Sequence, residues 1–144
     1  MIASRQLCTF LLDGHLFGVD AQTVQEVIRY QEMTRVPKAP AAVSGLINLR
    51  GQIVTAIDLR TRLGMKPREN GKRPMNVVVR SDDGAVSLLV DQIGDVIAVD
   101  VENFEAPPDT LQGPSRELVQ GAYKLNGRLL LLLNCAEAVQ LVTE

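Results

Sequence analysis

Residues 45–64 read GLINLRGQIVTAIDLRTRLG and residues 121–140 read GAYKLNGRLLLLLNCAEAVQ, an ungapped offset of 76 residues (121 minus 45). Gly45 falls on Gly121, Leu49 on Leu125, Gly51 on Gly127 and Asp58 on Asn134. A repeat of this kind constrains the fold strongly, because each copy must adopt the same local structure. The chain has 144 residues, so each copy belongs to about half of it. A unit below ~70–80 residues rarely builds a sufficient core alone. The two halves are therefore expected to pack on one another and share apolar surface.

In each copy two apolar runs flank a two-residue turn, Arg50-Gly51 in the first and Asn126-Gly127 in the second. Asn-Gly is a strong hairpin signal because both residues tolerate positive φ. Arg50 is a poorer turn residue in the same slot, which suggests that it is there for its side chain. Two readings stand side by side: a contact with a partner, or an ion pair within the fold to Glu26 or Asp58. Asp58 and Asn134 each precede a short helical segment, at 59–63 and 135–141, and both are good helix N-caps. Gly64 follows the first segment where a C-terminal glycine belongs.

The repeat extends upstream. Runs 6–12 and 15–19 flank Asp13-Gly14, and runs 76–80 and 85–90 flank the turn SDDG at 81–84, so each half opens with a hairpin. VDAQTVQEVI (19–28) aligns with VDQIGDVI (90–97) once two residues are deleted. MKPRENGKRP (65–74) has little apolar content and reads as the seam. These elements predict an all-β fold: two small five-stranded antiparallel barrels around a shared hydrophobic core, with short helices. The chain is expected to be a single domain over 1–144. Subdomain 1 spans about 7–64, a linker about 65–75 and subdomain 2 about 76–140, with end strands free to exchange.

Catalytic vocabulary is thin. His15 is the one histidine and sits by a hairpin turn, so no His pair for a metal and no nucleophile–base pair is offered. GPSRE (113–117) lacks the second glycine of a nucleophile elbow, and the spacing from Gly64 to Gly71-Lys72 is too long for a phosphate loop. Asp13, Asp82 and Asp83 read as turn residues, Asp58 as a cap, and Asp95, Asp100, Glu102 and Glu105 as a solvated acidic stretch. No enzyme, cofactor or metal is expected. Cys8 and Cys135 lie among apolar residues without ligand-spaced partners and read as buried thiols. The most apolar run, 129–133, is far short of the ~20 residues that cross a bilayer. No export leader is visible, so a cytoplasmic protein without membrane insertion is expected.

Charge is uneven. Arg60, Arg62, Lys66, Arg68, Lys72 and Arg73 form a basic run opposed by Glu69, whereas 81–109 carries eight acidic residues and no Lys or Arg. These are either two solvated faces or complementary surfaces for partners. A nucleic-acid-binding small barrel is the competing class. A net charge of −2, no Trp, three Phe and two Tyr give it neither a basic field nor stacking aromatics. An aliphatic surface suited to a helical segment of another protein remains, which makes this a binding module.

VQEVIRYQEMTRVPKAPAAVSGLINLRGQIVTAIDLRTRLG (24–64) resembles the signature of the CheW family of chemotaxis adaptors. The likeness continues through LLVDQIGDVIAVDVENFEAPP (88–108) and GAYKLNGRLLLLLN (121–134). Thr55 stands where many members carry Pro, and Asn134 where many carry Asp. The resemblance implies two Src-homology-3-like barrels and a non-catalytic, free-standing scaffold. Its implied partners are the cytoplasmic hairpin tip of chemoreceptors and the regulatory domain of the histidine kinase CheA, with ring assembly among such domains. It implies receptor contacts at Val24, Gly45 and Arg50 and a kinase contact at Glu26. Gly51, Asp58, Gly127 and Asn134 are left as turn and cap residues. Gly45 would leave a groove open to the receptor tip, so that Gly45→Asp and Val24→Asp would weaken receptor binding in a folded chain. Related adaptors serve twitching pili and surface sensing, and the sequence leaves the pathway open.

Overall fold

The computed structural model describes residues 4–82 and 84–140; Asp83, assigned above to a turn, lies outside them. The first half runs β1 (Ser4–Leu12), β2 (His15–Asp20), β3 (Val24–Ile28), β4 (Val43–Leu49), β5 (Gln52–Asp58) and α1 (Leu59–Arg62). The second begins with β6 (Met75–Ser81), β7 (Gly84–Val90), β8 (Gln92–Asp100) and a short β9 (Phe104–Glu105). It ends with α2 (Pro114–Leu118), β10 (Val119–Leu125), β11 (Arg128–Leu133) and α3 (Cys135–Val139).

The strands form two sheets, ordered β8-β1-β2-β11-β10-β9 and β3-β6-β7-β5-β4. The sequence repeat equates β1 with β6, β2 with β7, β3 with β8, β4 with β10 and β5 with β11. Making those substitutions turns one order into the other, with β9 as the addition. The all-β, two-barrel expectation holds. The sheets, however, do not follow the division at 65–75. Hairpin β1–β2 lies in the sheet of the second half, and hairpin β6–β7 in the sheet of the first.

Short connections explain the exchange. β7 runs into β8 through Asp91 alone, and β2 reaches β3 through one 3-10 turn, Ala21–Thr23, capped where Asp20 accepts the Gln22 N–H. The tightest reversal within a sheet uses a two-residue loop, so a chain leaving β7 cannot turn back and continues into the neighbouring sheet. The same exchange corrects the expected strand directions. β5 pairs with β7 and β11 with β2 in parallel, which is permitted because long crossovers separate them in sequence.

Each sheet closes over its own apolar cluster, and the two share a third. Ile47, Val54, Ala56 and Leu89 fill one barrel; Leu7, Leu16, Val99, Tyr123, Leu130 and Leu132 fill the other. Between them Phe10, Phe17 and Leu131 pack with Val77, Val79, Leu88 and Ile57. Val77, Val78 and Val79 are all buried, as are Leu130 to Leu133. Strands covered on both faces read as continuous apolar runs rather than alternations. The shared core is thus what gives 76–80 and 129–133 their composition.

Candidate partner-binding surface

Val24, Glu26, Gly45 and Arg50 all belong to the β3–β7 sheet. Val24 and Glu26 lie on β3 at one edge, Gly45 on β4 at the other, and Arg50 at the tip of the β4–β5 hairpin. That tip reaches back to β3. Arg50 Nη2 donates to Glu26 Oε1 at 2.6 Å and Nη1 to Oε2 at 3.2 Å, a fork-to-fork pair. Of the two ion-pair partners considered for Arg50, Glu26 is the one used; Asp58 instead accepts from Arg68. Residues assigned above to two different partners therefore form one unit. Its cation is presented outward, because the Arg50 side chain is 78% exposed and that of Glu26 18%.

The turn beneath this pair is strained where the sequence says it should be. Arg50 has φ +51° and Gly51 φ +87°, between paired Leu49 and Gln52. A left-handed conformation costs a non-glycine residue about 1–2 kcal/mol. The Gly51 N–H donating to Asn48 Oδ1 at 2.9 Å and the bidentate ion pair offset it. In the second copy Leu125 faces Arg128 as expected, but only Gly127 is left-handed, at φ +75°. Asn126, the better turn former, does not use its tolerance for positive φ.

Two exposed apolar side chains lie close in sequence to the pair, Val27 on β3 and Ile53 on β5. Val27 is 44% exposed and Ile53 61% exposed. On β3 the usual alternation is inverted: Val24, Glu26 and Ile28 are half-buried while Gln25 and Val27 face solvent. The signal was present in VQEVI, where the carboxylate takes the inward phase and a valine the outward one. Exposed aliphatics next to a fixed charge are what a recognition surface needs: area to remove from water and a polar group that sets register.

Gly45 is not the open groove expected of it. A Cβ there would lie 2.6 Å from the Thr34 carbonyl oxygen and 3.1 Å from Met33 Cβ. Thr34 and Leu46 exchange two backbone hydrogen bonds of 2.8 Å across that position, so the space is filled by the chain's own backbone. Its repeat partner behaves alike, since a side chain at Gly121 would meet Phe104 and the Glu105 carbonyl oxygen at 2.5 Å. Both glycines sit at a bulge in their hairpin. Val24 is half-buried and packs on the shared core. A carboxylate at either position disturbs packing as well as any partner contact, so weakened binding by an Asp variant would report on the fold before it reported on a receptor groove.

The remaining residues are structural. Asp58 accepts from the Arg60 N–H and Asn134 from the Glu137 N–H, capping α1 and α3 as read from sequence. Most of the basic run is spoken for internally. Arg60 and Arg68 both bind Asp91, Arg68 also reaches Asp58, and Arg62 bonds carbonyls of α3 and the residue after it. Arg73 lies 5.0 Å above the Tyr30 ring centroid. Burial would raise the Asp91 pKa, but the Arg60 guanidinium, the Asp13 N–H and Arg68 overcome it and hold the carboxyl down at about 2. Nothing in the sequence pattern hints that two distant arginines converge on Asp91. Cys8 and Cys135 are free and half-buried, and burial pushes the Cys135 thiol up to about 11. Among the described residues no cluster of His, Cys, Asp or Glu is placed to hold a metal ion. Among the described residues no helix is long and apolar enough to cross a membrane.

The chain has relatives among known proteins. The family model of the CheW-like domain matches residues 6–142. The chain belongs to the CheW family. It is 33% identical over 129 residues to the chemotaxis protein CheW of Rhizobium meliloti, covering 90% of this chain and 83% of that protein. It is 32% identical over 133 residues to that of Treponema pallidum, with coverages of 90% and 78%. The crystal structure of the scaffolding protein TtCheW from Thermoanaerobacter tengcongensis superposes with a TM-score of 0.85 at 27% identity, covering 96% of this chain and 94% of that one. Within this CheW-family chain the candidate surface holds a half-buried carboxylate, an outward guanidinium and two exposed aliphatics.

Proposed function

We propose that the chain is a non-catalytic adaptor that couples chemoreceptors to the histidine kinase CheA, working in the cytoplasm at the receptor array. Membership of a chemotaxis scaffold family supports this reading, and the observation that carries it is the exposed, forked Arg50–Glu26 ion pair, with exposed Val27 following Glu26 on β3 and exposed Ile53 just past the Arg50 turn on β5. Covering a side chain such as these fully is worth about 1.5–3 kcal/mol, so two half-exposed aliphatics supply a useful fraction of a modest affinity. The kinase regulatory domain docks here. Arg50 sets orientation, and Glu26 holds Arg50 rather than touching the kinase itself. The receptor hairpin tip lies along the same sheet, where Val24 and Gly45 act as positioning residues through β3 and the Thr34 segment. Nucleic acid loses ground as a ligand, because the arginines it would need are bound to carboxylates, carbonyls or Tyr30.

Titration against the isolated kinase regulatory domain tests the assignment. Ile53→Lys and Val27→Lys should each weaken binding about tenfold or more, since each removes apolar area and buries a cation. Thermal stability should stay near wild type, because both side chains face solvent. Unchanged affinity for both variants would move the kinase site elsewhere.

A further inference from the structure

α1 and α3 are copies of one another in the repeat, and they meet at the junction of the two sheets. One follows β5, the other β11. The meeting is not symmetric. Arg62 Nη2 donates to the carbonyls of Glu137 at 2.8 Å and Gln140 at 2.9 Å, and Nε to that of Ala138 at 3.2 Å. These carbonyls lie at the C-terminal end of α3, where a helix leaves most of its last acceptors without partners; that of Glu137 also accepts the Gln140 N–H at 3.2 Å. Arg62 falls on Ala138 in the repeat, and Arg60 on Ala136. α3 therefore has no side chain with which to return the contact, and buried Ala138 leaves no bulk in the guanidinium's way.

Two further struts leave the same region. Ser115 Oγ donates to the Leu63 carbonyl at 2.8 Å, and a Cβ added at Gly64 would lie 3.5 Å from Pro114 Cγ, so the start of α2 lies over this turn. On another side Asp91, the single residue by which the chain passes from β7 to β8, holds Arg60 and Arg68 and accepts the Asp13 N–H at 2.8 Å. One short helix and the loop after it thus grip the second barrel at three places. Every candidate contact residue, Val24, Glu26, Val27, Gly45, Arg50 and Ile53, lies in the other barrel, the one α1 follows. Beside the shared core and the short β2–β3 and β7–β8 connections, α1 thus supplies polar ties that hold the second barrel relative to those contacts.

We infer that Arg62 is a positioning residue for the adaptor. Its clasp on α3 fixes the angle between the barrels, and coupling of receptor to kinase requires that fixed angle, whereas binding of either partner alone does not. The inference rests on the adaptor reading above. The test uses the full chain as wild type, Arg62→Ala and Arg62→Lys; lysine keeps the charge but lacks the fork that spans three carbonyls. Hydrogen exchange at the α3 amides should accelerate about tenfold in both variants while β6 and β11 keep their protection. Affinities for a receptor hairpin fragment and for the kinase regulatory domain should stay within about twofold, while receptor control of kinase activity falls about fivefold or more. Full coupling despite a loosened α3 would overturn the inference. So would affinities that fall in step with coupling, which is what a merely structural role produces. If the wild-type chain does not couple at all, the adaptor reading is what fails, and exchange at α3 alone then decides whether Arg62 is the clasp.

Discussion

Replacing Gly45 with alanine places a methyl carbon 2.6 Å from the Thr34 carbonyl oxygen, 3.2 Å from its carbonyl carbon and 3.1 Å from Met33 Cβ. Ordinary contact begins near 3.4 Å, so the segment at 33–34 must withdraw by most of an ångström. Thr34 is held to Leu46 by two backbone hydrogen bonds of 2.8 Å, and a net value of about 1 kcal/mol each makes their loss about 2 kcal/mol. Met33 also packs against Ile47, Val54, Ala56 and Leu89, so lifting it adds about another 1 kcal/mol of lost apolar contact. The total, about 3 kcal/mol, corresponds to a fall in Tm of roughly 6–12 °C for a domain of this size. Urea unfolding followed by far-UV circular dichroism measures it, with Gly51→Ala as the control. Gly51 is left-handed but has nothing within 4 Å of its would-be Cβ, so alanine there should cost only about 1–2 kcal/mol. Gly121→Ala should resemble Gly45→Ala, because the Glu105 carbonyl plays the part of Thr34. A Gly45→Ala variant within about 0.5 kcal/mol of wild type would refute the steric reasoning, since that is the scatter of ordinary surface substitutions.

Arg50→Gly should leave stability within about 1 kcal/mol of wild type, as relief of the left-handed strain offsets the lost ion pair. The same variant should bind the kinase regulatory domain less tightly, and calorimetric titration beside a urea curve separates the two effects. Asp91→Asn should destabilise the fold by about 2 kcal/mol at neutral pH, the worth of a carboxyl held down at about 2. Because the folded-state pKa is depressed, that stability is fully present above the ordinary carboxylate range and lost as pH falls through about 2. Urea curves of wild type and variant should therefore converge on acidification, and a gap that stays constant down to that pH would contradict the role given to Asp91.

Some of this architecture could be read directly from the residues. Apolar runs, Asp-Gly and Asn-Gly turns and the Asp58 and Asn134 caps are local signals, and the strands, hairpins and short helices follow them. The repeat also foretold the equivalence of the two sheets. It could not say which hairpin joins which sheet, because that depends on a connection of one residue at Asp91, and the pattern of a hairpin is the same in either barrel. Two parallel pairings were hidden for the same reason. At the candidate surface the misfit of Arg50 in its turn was legible, and so was Glu26 as a partner for it. The backbone covering Gly45 was not, since the contact with Thr34 joins a loop to a strand and leaves no periodic trace. The basic run misled for a related reason: sequence counts charges, but the carboxylates and carbonyls that engage Arg60, Arg62 and Arg68 come from residues 58, 66, 91, 137, 138 and 140.

The most direct test of the adaptor reading is kinase activity in a reconstituted mixture of chemoreceptor-containing membranes, CheA and this chain. Autophosphorylation of the kinase should rise when the chain is added and fall again on adding the receptor's attractant, with Ile53→Lys giving neither response. Kinase activity indifferent to the chain, at concentrations where both partners are in excess, would contradict the account.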